Sequence, residues 1–366
     1  MPRVVIDARE SGTTTGRYVD KLIEHLHNLK PPLEIAVLTK SHRLEFMQGV
    51  APSFEVIKCD WREFSFGEQY GFLWQLYGLR NDLVHFSMTQ QPILYFGQSL
   101  TTVHDLTTAR FRNPAKNWLV FSFKQAIYRS VIKLVARKSK QIITASQYVR
   151  QDLADFAKLD PAKIEVIYEA ADKIEDKPVS VSQLKSGRYL LYVGRPLPHK
   201  NLKRLIEAFA LLQNKRPGLK LVLAGKSDAN YRRLEKFADQ KAIKNIVFTG
   251  FIEDAKLRWL YEQAAAYVFP SLSEGFGLPG LEAMHYGLPV ISSHASCLPE
   301  IYKDAALYFD PLSIEDMTDK IAKVLDNPAL AKQLADKGHR VAKQYSWAKT
   351  AQQTLAIYEQ VINGKS

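Results

Sequence analysis

Short runs of β-branched and aliphatic residues alternate with longer stretches of mixed apolar and polar residues along the first half of this chain. The runs are RVVID (3–7), EIAVL (34–38), FEVIK (54–58), LVHFS (83–87), LTTVH (100–104) and QIITA (141–145). Each has the length and composition of a strand, and the stretches between them read as helical. That alternation predicts βαβ units and a parallel sheet covered by helices. KIEVIYEAAD (163–172) supplies a last strand and turn. Residues 173–187 are polar with one Pro and read as a linker. The alternation then restarts with YLLYVG (189–194), KLVLAGK (220–226), NIVFTGFI (245–252), AYVFP (266–270) and LPVISS (288–293). Helices are expected at 254–265 and, closing the chain, at 345–362. The pattern predicts an α/β chain of two domains, 1–172 and 188–345. In such sheets ligands bind beyond the carboxyl ends of the strands, so the residues that follow each strand are the ones to search for chemistry.

The stretch after AYVFP is the most informative. Ser271–Glu282 reads SLSEGFGLPGLE. Pro279 suits the first turn of a helix, where its missing N–H leaves no bond unmade. Gly275 and Gly277 clear side chains from the turn, so backbone N–H groups can approach a ligand. Those N–H groups and the helix dipole make an anion site. Glu274 precedes the turn and Glu282 lies one turn into the helix. Carboxylates do not suit a phosphate itself, but they accept hydrogen bonds from hydroxyls on either side of one. The pattern points to a phosphate flanked by polyols, as in a nucleotide-sugar. Gly275, Gly277 and Gly280 also match G-x-G-x-x-G, the dinucleotide fingerprint. That match would put its first Gly at the strand end, whereas SLSE intervenes after Pro270. The following run, LPVISS, ends in Ser293 where an acid should take the adenosine ribose. A ligand-free corner explains the glycines but not the flanking glutamates.

Other strand ends carry charged groups. Arg195 and Lys200 sit around the turn after YLLYVG, where they can neutralise a diphosphate and stabilise charge on a leaving group. His104 ends LTTVH, with Asp105 next to it, a placement suited to chemistry; His85 reads as structural. Gly12 and Gly16 loosen the loop after the first strand, before a helix that begins near Arg17.

Composition narrows the class. The chain has 366 residues, 46% hydrophobic and 24% charged, the balance of a globular protein with room for two domains. No apolar run is long enough to span a bilayer, and MPRVVIDARE leads straight into a strand without a signal-peptide layout. Cys59 and Cys297 alone imply neither a disulfide framework nor a cysteine zinc site. A reducing, cytoplasmic setting is expected. The net charge of +12 admits nucleic acid, anionic membrane or phosphorylated substrates as partners. No nucleic-acid motif is present, so nucleic acid is not expected.

Part of the positive charge is concentrated. Leu106–Gln151 holds no acidic residue, but includes Arg110, Arg112, Lys116, Lys124, Arg129, Lys133, Arg137, Lys138, Lys140 and Arg150. Its helix candidate carries Trp118, Phe121, Phe123, Ile127, Val131 and Leu134. These read as a core-facing side opposite a solvated basic one. The alternative is peripheral contact with the anionic inner face of a membrane. Ser146 reads as the cap of the next helix.

Glu274 and Glu282, with GFGLP between them and GLPVISS after, resemble the E-x7-E motif of retaining glycosyltransferases of the GT-B fold, family 4. Gly194, Arg195, Lys200 and Asn201 match that family's G-R…K-N pattern. Gly16, Arg17 and Tyr18 match the end of its glycine-rich first loop, and VHDL carries its His-Asp pair. PEI (299–301) and the closing helix match as well, with Glu300 read as structural. Glu169, Ala170 and Ala171 depart from it, standing where Asn, Gly and Val are usual. The resemblance implies two Rossmann-like domains with a cleft between them, the first binding the acceptor and the second the donor. It also implies a helix 346–362 that crosses back to the first domain.

The activity implied is transfer of a hexose, mannose from GDP-mannose, to a hydroxyl of a glycan or lipid-linked acceptor. Glu274, His104, Arg195 and Lys200 take the catalytic positions. Glu274 and His104 face the sugar, and the two cations hold the diphosphate. Gly16, Asp105, Ile252, Gly275, Phe276, Gly277, Leu278 and Glu282 take the donor-binding ones, Glu282 on the ribose and Ile252 by the base. No Asp-x-Asp site is apparent and the basic pair can replace a metal, so neither metal nor cofactor is expected. A UDP-glucose-type donor, a nucleotide-sugar epimerase and a non-catalytic nucleotide-sugar sensor remain open readings.

Overall fold

A computed structural model describes residues 1–13, 15–112, 118–182, 184 and 189–364. Its backbone forms two compact units. The first comprises Met1–Ala109, Phe123–Glu169 and Ser346–Ser366, and the second Arg110–Ser122 and Ala170–Tyr345.

The first unit is built on seven parallel strands: β1 (Arg3–Asp7), β2 (Glu34–Thr39), β3 (Glu55–Lys58), β4 (Leu83–Phe86), β5 (Ser99–Val103), β6 (Gln141–Thr144) and β7 (Ile164–Val166). They lie in the order β3-β2-β1-β4-β5-β6-β7. The second has β8 (Tyr189–Val193), β9 (Lys220–Ala224), β10 (Ile246–Gly250), β11 (Ala266–Phe269), β12 (Val290–Ser293) and β13 (Ala306–Phe309), in the order β10-β9-β8-β11-β12-β13. Both orders reverse direction once, between β1 and β4 and between β8 and β11. Loops leaving a sheet at such a reversal diverge and leave a crevice at the carboxyl ends. β13 was not anticipated from sequence. Its four residues follow a short turn, Lys303–Ala305, rather than a helix of crossover length.

The central strands are buried on both faces, as helices covering both sides of a parallel sheet require. Val4, Val5, Ile6, Val84, Phe86 and Leu100 build the first core, and Leu190, Leu191, Val222, Val268 and Ile291 the second. Polar residues enter the strands toward their carboxyl ends: Asp7, Thr39, His85, Thr102, Thr144, Ser292 and Ser293 are all buried. The closing helix Trp347–Ile362 belongs to the first unit, where it packs along the helix Gly16–Asn28. Its Tyr358 hydroxyl reaches His85 Nδ1 at 2.6 Å.

Two segments differ from the sequence reading. The helix Trp118–Lys138 is not core-facing along its length. Among the described side chains of 118–131 none is buried, and Trp118, Phe123 and Ile127 are exposed. Among the described side chains its last turns enter the core, through Ile132, Val135 and Ala136. Lys116 lies outside the described residues, as do Gln183 and residues 185–187 of the expected linker. The described part of that linker is bound to the second unit. Arg258 Nη1 donates to the carbonyls of Ile174, Glu175 and Asp176 at 3.1–3.3 Å, and Ile174 N–H donates to Tyr286 at 2.7 Å.

A buried ionic knot closes the carboxyl end of β1. Arg9 donates to both oxygens of Asp7 (2.9 and 2.8 Å), to Glu68 (2.9 Å) and to the Gln90 carbonyl (2.9 Å), with its guanidinium 4.1 Å above the Phe72 ring. Burial opposes the charge, but Asp7 and Glu68 outweigh it and raise the Arg9 pKa. A buried cation with this many acceptors is a fixed joint.

Candidate functional site

In the second unit, β8 and β11 are neighbours, so the loops that follow them leave the sheet side by side. One carries Arg195 and Lys200, the other Ser271–Glu274. The structure joins these loops. Lys200 Nζ lies 2.7 and 2.8 Å from the two carboxylate oxygens of Glu274, and both side chains are largely buried. Leu272 N–H donates to the His199 carbonyl at 2.7 Å. Asn201, in the left-handed region at φ +58°, donates its amide to the carbonyls of Pro270 (3.0 Å) and Pro311 (2.7 Å). The family-like match at Asn201 thus has a physical reason: its side chain clamps β11's exit loop. Glu274 is held from its backbone too, its N–H donating to Ser296 Oγ at 3.0 Å and its carbonyl accepting from Cys297 Sγ at 3.3 Å.

The turn beyond Glu274 starts the helix Leu278–His285. Gly277 is at φ +94°, and a Cβ there would lie 2.5 Å from the Tyr302 hydroxyl. That hydroxyl donates to the Gly277 carbonyl at 2.5 Å. Phe276 is buried, its ring edge-on to Tyr345 at 5.4 Å. Gly280 belongs to the helix and makes room for Tyr302, whose hydroxyl a Cβ would meet at 2.2 Å. This packing accounts for the third glycine of the dinucleotide-like pattern. Glu282 is buried and accepts from the Tyr261 hydroxyl at 2.7 Å. Arg195 is half-exposed (51%) and lies 3.6 Å from Asp228, the cap of the helix Ala229–Gln240. Ile252 is partly buried after β10, beside an exposed Phe251.

The first unit holds the remaining candidates. His104 follows β5 directly, its Nδ1 2.9 Å from Glu169 Oε1 and its Nε2 3.1 Å from the Ser87 carbonyl. Asp105 accepts from Thr107 N–H at 2.8 Å. Gly16 opens the helix Gly16–Asn28, and a Cβ there would meet the Glu10 carbonyl at 1.7 Å, so the position takes only glycine. In the loop before it the Thr13 and Thr15 hydroxyls both donate to Glu10 Oε2 (2.9 and 2.8 Å). His85 is buried between Tyr358 and Thr102, and burial pushes its pKa down to about 3, so it is neutral.

Among the described residues no group of three or more His, Cys, Asp and Glu is placed to hold a metal ion. Sequence reading missed Glu169 as a partner of His104, Tyr261 as the partner of Glu282, and Ser296 and Cys297 as supports of Glu274. None of these had a local signal: Ser296 and Cys297 meet Glu274 across adjacent strand exits, Tyr261 meets Glu282 between two helices, and Glu169 follows β7, with β6 lying between it and the strand of His104.

Residues 15–173 match the family model Glycosyltransferase Family 4, and residues 173–341 match Glycosyl transferases group 1. The chain belongs to these glycosyltransferases. The O-antigen chain mannosyltransferase B of Escherichia coli is 34% identical over 182 residues, 48% of this chain and 47% of that one. The MMP alpha-(1->4)-mannosyltransferase of Mycolicibacterium hassiacum is 32% identical over 240 residues, 63% and 56% of the two chains. The chain thus spans about half the length of the curated relatives it matches. Among solved structures, sucrose-phosphate synthase from Thermosynechococcus elongatus is similar over 100% of both chains, with a TM-score of 0.78 at 20% identity. The fold is GT-B: two Rossmann-like parallel-sheet units, with the last helix returning to the first. Glu274 and Glu282, the pair expected from sequence, stand on either side of the Gly275–Gly277 turn.

Proposed function

We propose that this chain transfers a hexose from a nucleoside diphosphate sugar to a hydroxyl acceptor, with retention at the anomeric carbon. The observation that carries the reading is the bracket at the carboxyl edge of the second sheet. A glycine-bearing turn and helix start, suited to phosphate, lie between Glu274, held by Lys200, and Glu282, held by Tyr261. Glu274 accepts from sugar hydroxyls and Glu282 from ribose hydroxyls. N–H groups from Phe276 to Leu278, with Arg195 and Lys200, take the negative charge that develops on the diphosphate. In the transfer the bond from C1 to the phosphate oxygen breaks. The acceptor oxygen bonds C1 from the same face, and its proton passes to the departing phosphate. The basic pair does the work that a metal would otherwise do, so chelators leave the rate unchanged.

Mannose is the sugar the reading favours, because the relatives named above are mannosyltransferases; GDP is the proposed nucleotide. Incubation with a panel of GDP- and UDP-sugars, following nucleoside diphosphate release with and without glycan acceptors, tests this. Release from GDP-mannose supports the reading, release from UDP-glucose alone moves the donor, and no turnover with any donor refutes it. Isomerisation without nucleotide release would assign an epimerase instead.

The acceptor proposed is a glycan, either free or carried on a lipid, with the chain resting on an anionic membrane surface. Exposed rings support the membrane part. Phe66 (84% exposed), Tyr70, Trp74 (77%) and Tyr77 stand along one side of the segment 66–78, with Phe96 beside Tyr77. Phe64 packs 5.9 Å from Tyr128 of the helix Trp118–Lys138, linking this apolar surface to the acid-free basic one. Aromatic rings and lysines suit a lipid headgroup layer. Among the described residues no helix is long and apolar enough to cross a membrane. Flotation with anionic vesicles at low salt is expected, and its loss in a Phe66→Ser/Trp74→Ser variant; no flotation of the unaltered chain would remove the membrane from the proposal.

A further inference from the structure

His104 has an acceptor oxygen at each ring nitrogen: the Glu169 carboxylate at Nδ1 and the Ser87 carbonyl at Nε2. A neutral imidazole has one N–H and one lone pair. Either neutral tautomer would therefore aim a lone pair at an oxygen. Against an ionised Glu169, only the imidazolium satisfies both contacts. Glu169 needs the same arrangement from its side. Its side chain is 7% exposed against 23% for His104, and a carboxylate this buried requires a partner. The Glu169 segment is fixed from behind, because Thr350 of the closing helix donates to the Tyr168 carbonyl at 2.7 Å.

We propose that His104 works as an imidazolium, that Glu169 is the positioning residue that keeps it so, and that the pair presents a hydrogen-bond donor and a fixed positive charge, never a base, to substrate oxygens. The consequence for turnover rests on the transferase reading above; the charge state does not. Nε2 donates to a ligand oxygen by leaving Ser87, a neutral acceptor, while Glu169 retains the charge. Proton removal from the acceptor must then fall to another group, in agreement with transfer to the departing phosphate.

The surroundings agree in sign. Burial works against the cation, but the hydrogen bond and charge of Glu169, the charge of Asp105 and the Ser87 carbonyl outweigh it and raise the His104 pKa. The Tyr18 ring stands edge-on at 4.8 Å, and His85 beyond Thr102 is neutral. A raised pKa means that the contribution of the pair is complete below the ordinary histidine pKa and is lost as pH rises through the raised value. Turnover should fall on the alkaline side for the same reason.

The test is a titration of the 15N-histidine-labelled chain, with His104 assigned through His104→Asn, beside pH profiles of kcat/KM. The unaltered chain should give the imidazolium signature at neutral pH and a midpoint above that of a free histidine. Glu169→Gln should lower that midpoint, bring the alkaline fall in turnover to lower pH, and reduce kcat/KM by roughly 10- to 100-fold, the worth of a charged hydrogen bond. Glu169→Asp should restore part of both. A neutral His104 at pH 7 in the unaltered chain would overturn the proposal, with no variant required. So would a Glu169→Gln chain that is folded and slower but has an unchanged midpoint. The titration needs no substrate: turnover absent with every donor refutes the transferase reading, and leaves the charge pair to be judged by its own signal.

Discussion

Lys200 and Glu274 are 74 residues apart in sequence, yet each is the other's main neutralising partner. Both are largely buried, so removing one leaves an uncompensated charge. Lys200→Met should therefore cost about 3 kcal/mol of stability, and the double variant Lys200→Met/Glu274→Gln should recover most of it in chemical denaturation. Turnover should not recover. Glu274→Ala and Arg195→Ala are each expected to lower donor turnover at least 100-fold, the range for one charge-stabilising contact. Arg195, half-exposed, should do so with little effect on stability, and a stability loss comparable to that of Lys200→Met would recast it as structural. Asn201 presents the opposite case, a family-matched residue whose contacts are internal. Asn201→Ala leaves the Pro270 and Pro311 carbonyls without their amide donor and should cost about 2 kcal/mol.

The start of the helix Leu278–His285 is set by Tyr302, which lies against both Gly277 and Gly280. Gly280 has an ordinary helical backbone and only lacks room, whereas Gly277 also needs its positive φ. The two should separate in a double-mutant cycle. Gly280→Ala should destabilise, and adding Tyr302→Leu, which removes the hydroxyl and the ring carbon that would stand 2.4 Å from the added one, should return part of the loss. Gly277→Ala should not be rescued, because the φ strain persists and Leu298 also stands 2.8 Å from the added carbon. Equal rescue of both in thermal melts would contradict this reading of the turn. The helix Trp118–Lys138 teaches a different point. Its mixture of aromatic and basic residues fits a core helix by composition, but among its described side chains burial begins at Ile132. Periodicity reports that a helix has apolar positions, not which of them find a neighbour.

For the whole chain, the closing helix Trp347–Ile362 is the segment whose assignment has the largest consequence. Through Tyr358 on His85, Thr350 on the Tyr168 carbonyl and the Tyr18–Trp347 ring contact at 6.2 Å, it completes the first unit. A chain ending at Tyr345 should lose the protease resistance of residues 1–109 while that of 190–345 persists; intact resistance of both would show that the helix is dispensable. Much of this architecture was already present in the order of the residues. Two alternating series of strands and helices required two parallel sheets, since apolar runs of strand length separated by crossovers have no other way to bury both faces. The SEGFGLPGLE turn could be recognised because it is local: its glycines, proline and carboxylates act within one strand exit. β13 escaped because four apolar residues after a short turn carry too little pattern to be told from a loop. The pairings Lys200–Glu274, Glu282–Tyr261 and His104–Glu169 depended on tertiary structure alone. Strand order makes the exits carrying Lys200 and Glu274 adjacent, helix packing brings Tyr261 to Glu282, and the chain after β7 reaches past β6 to His104; each follows from how all the faces pack together rather than from any one stretch of chain.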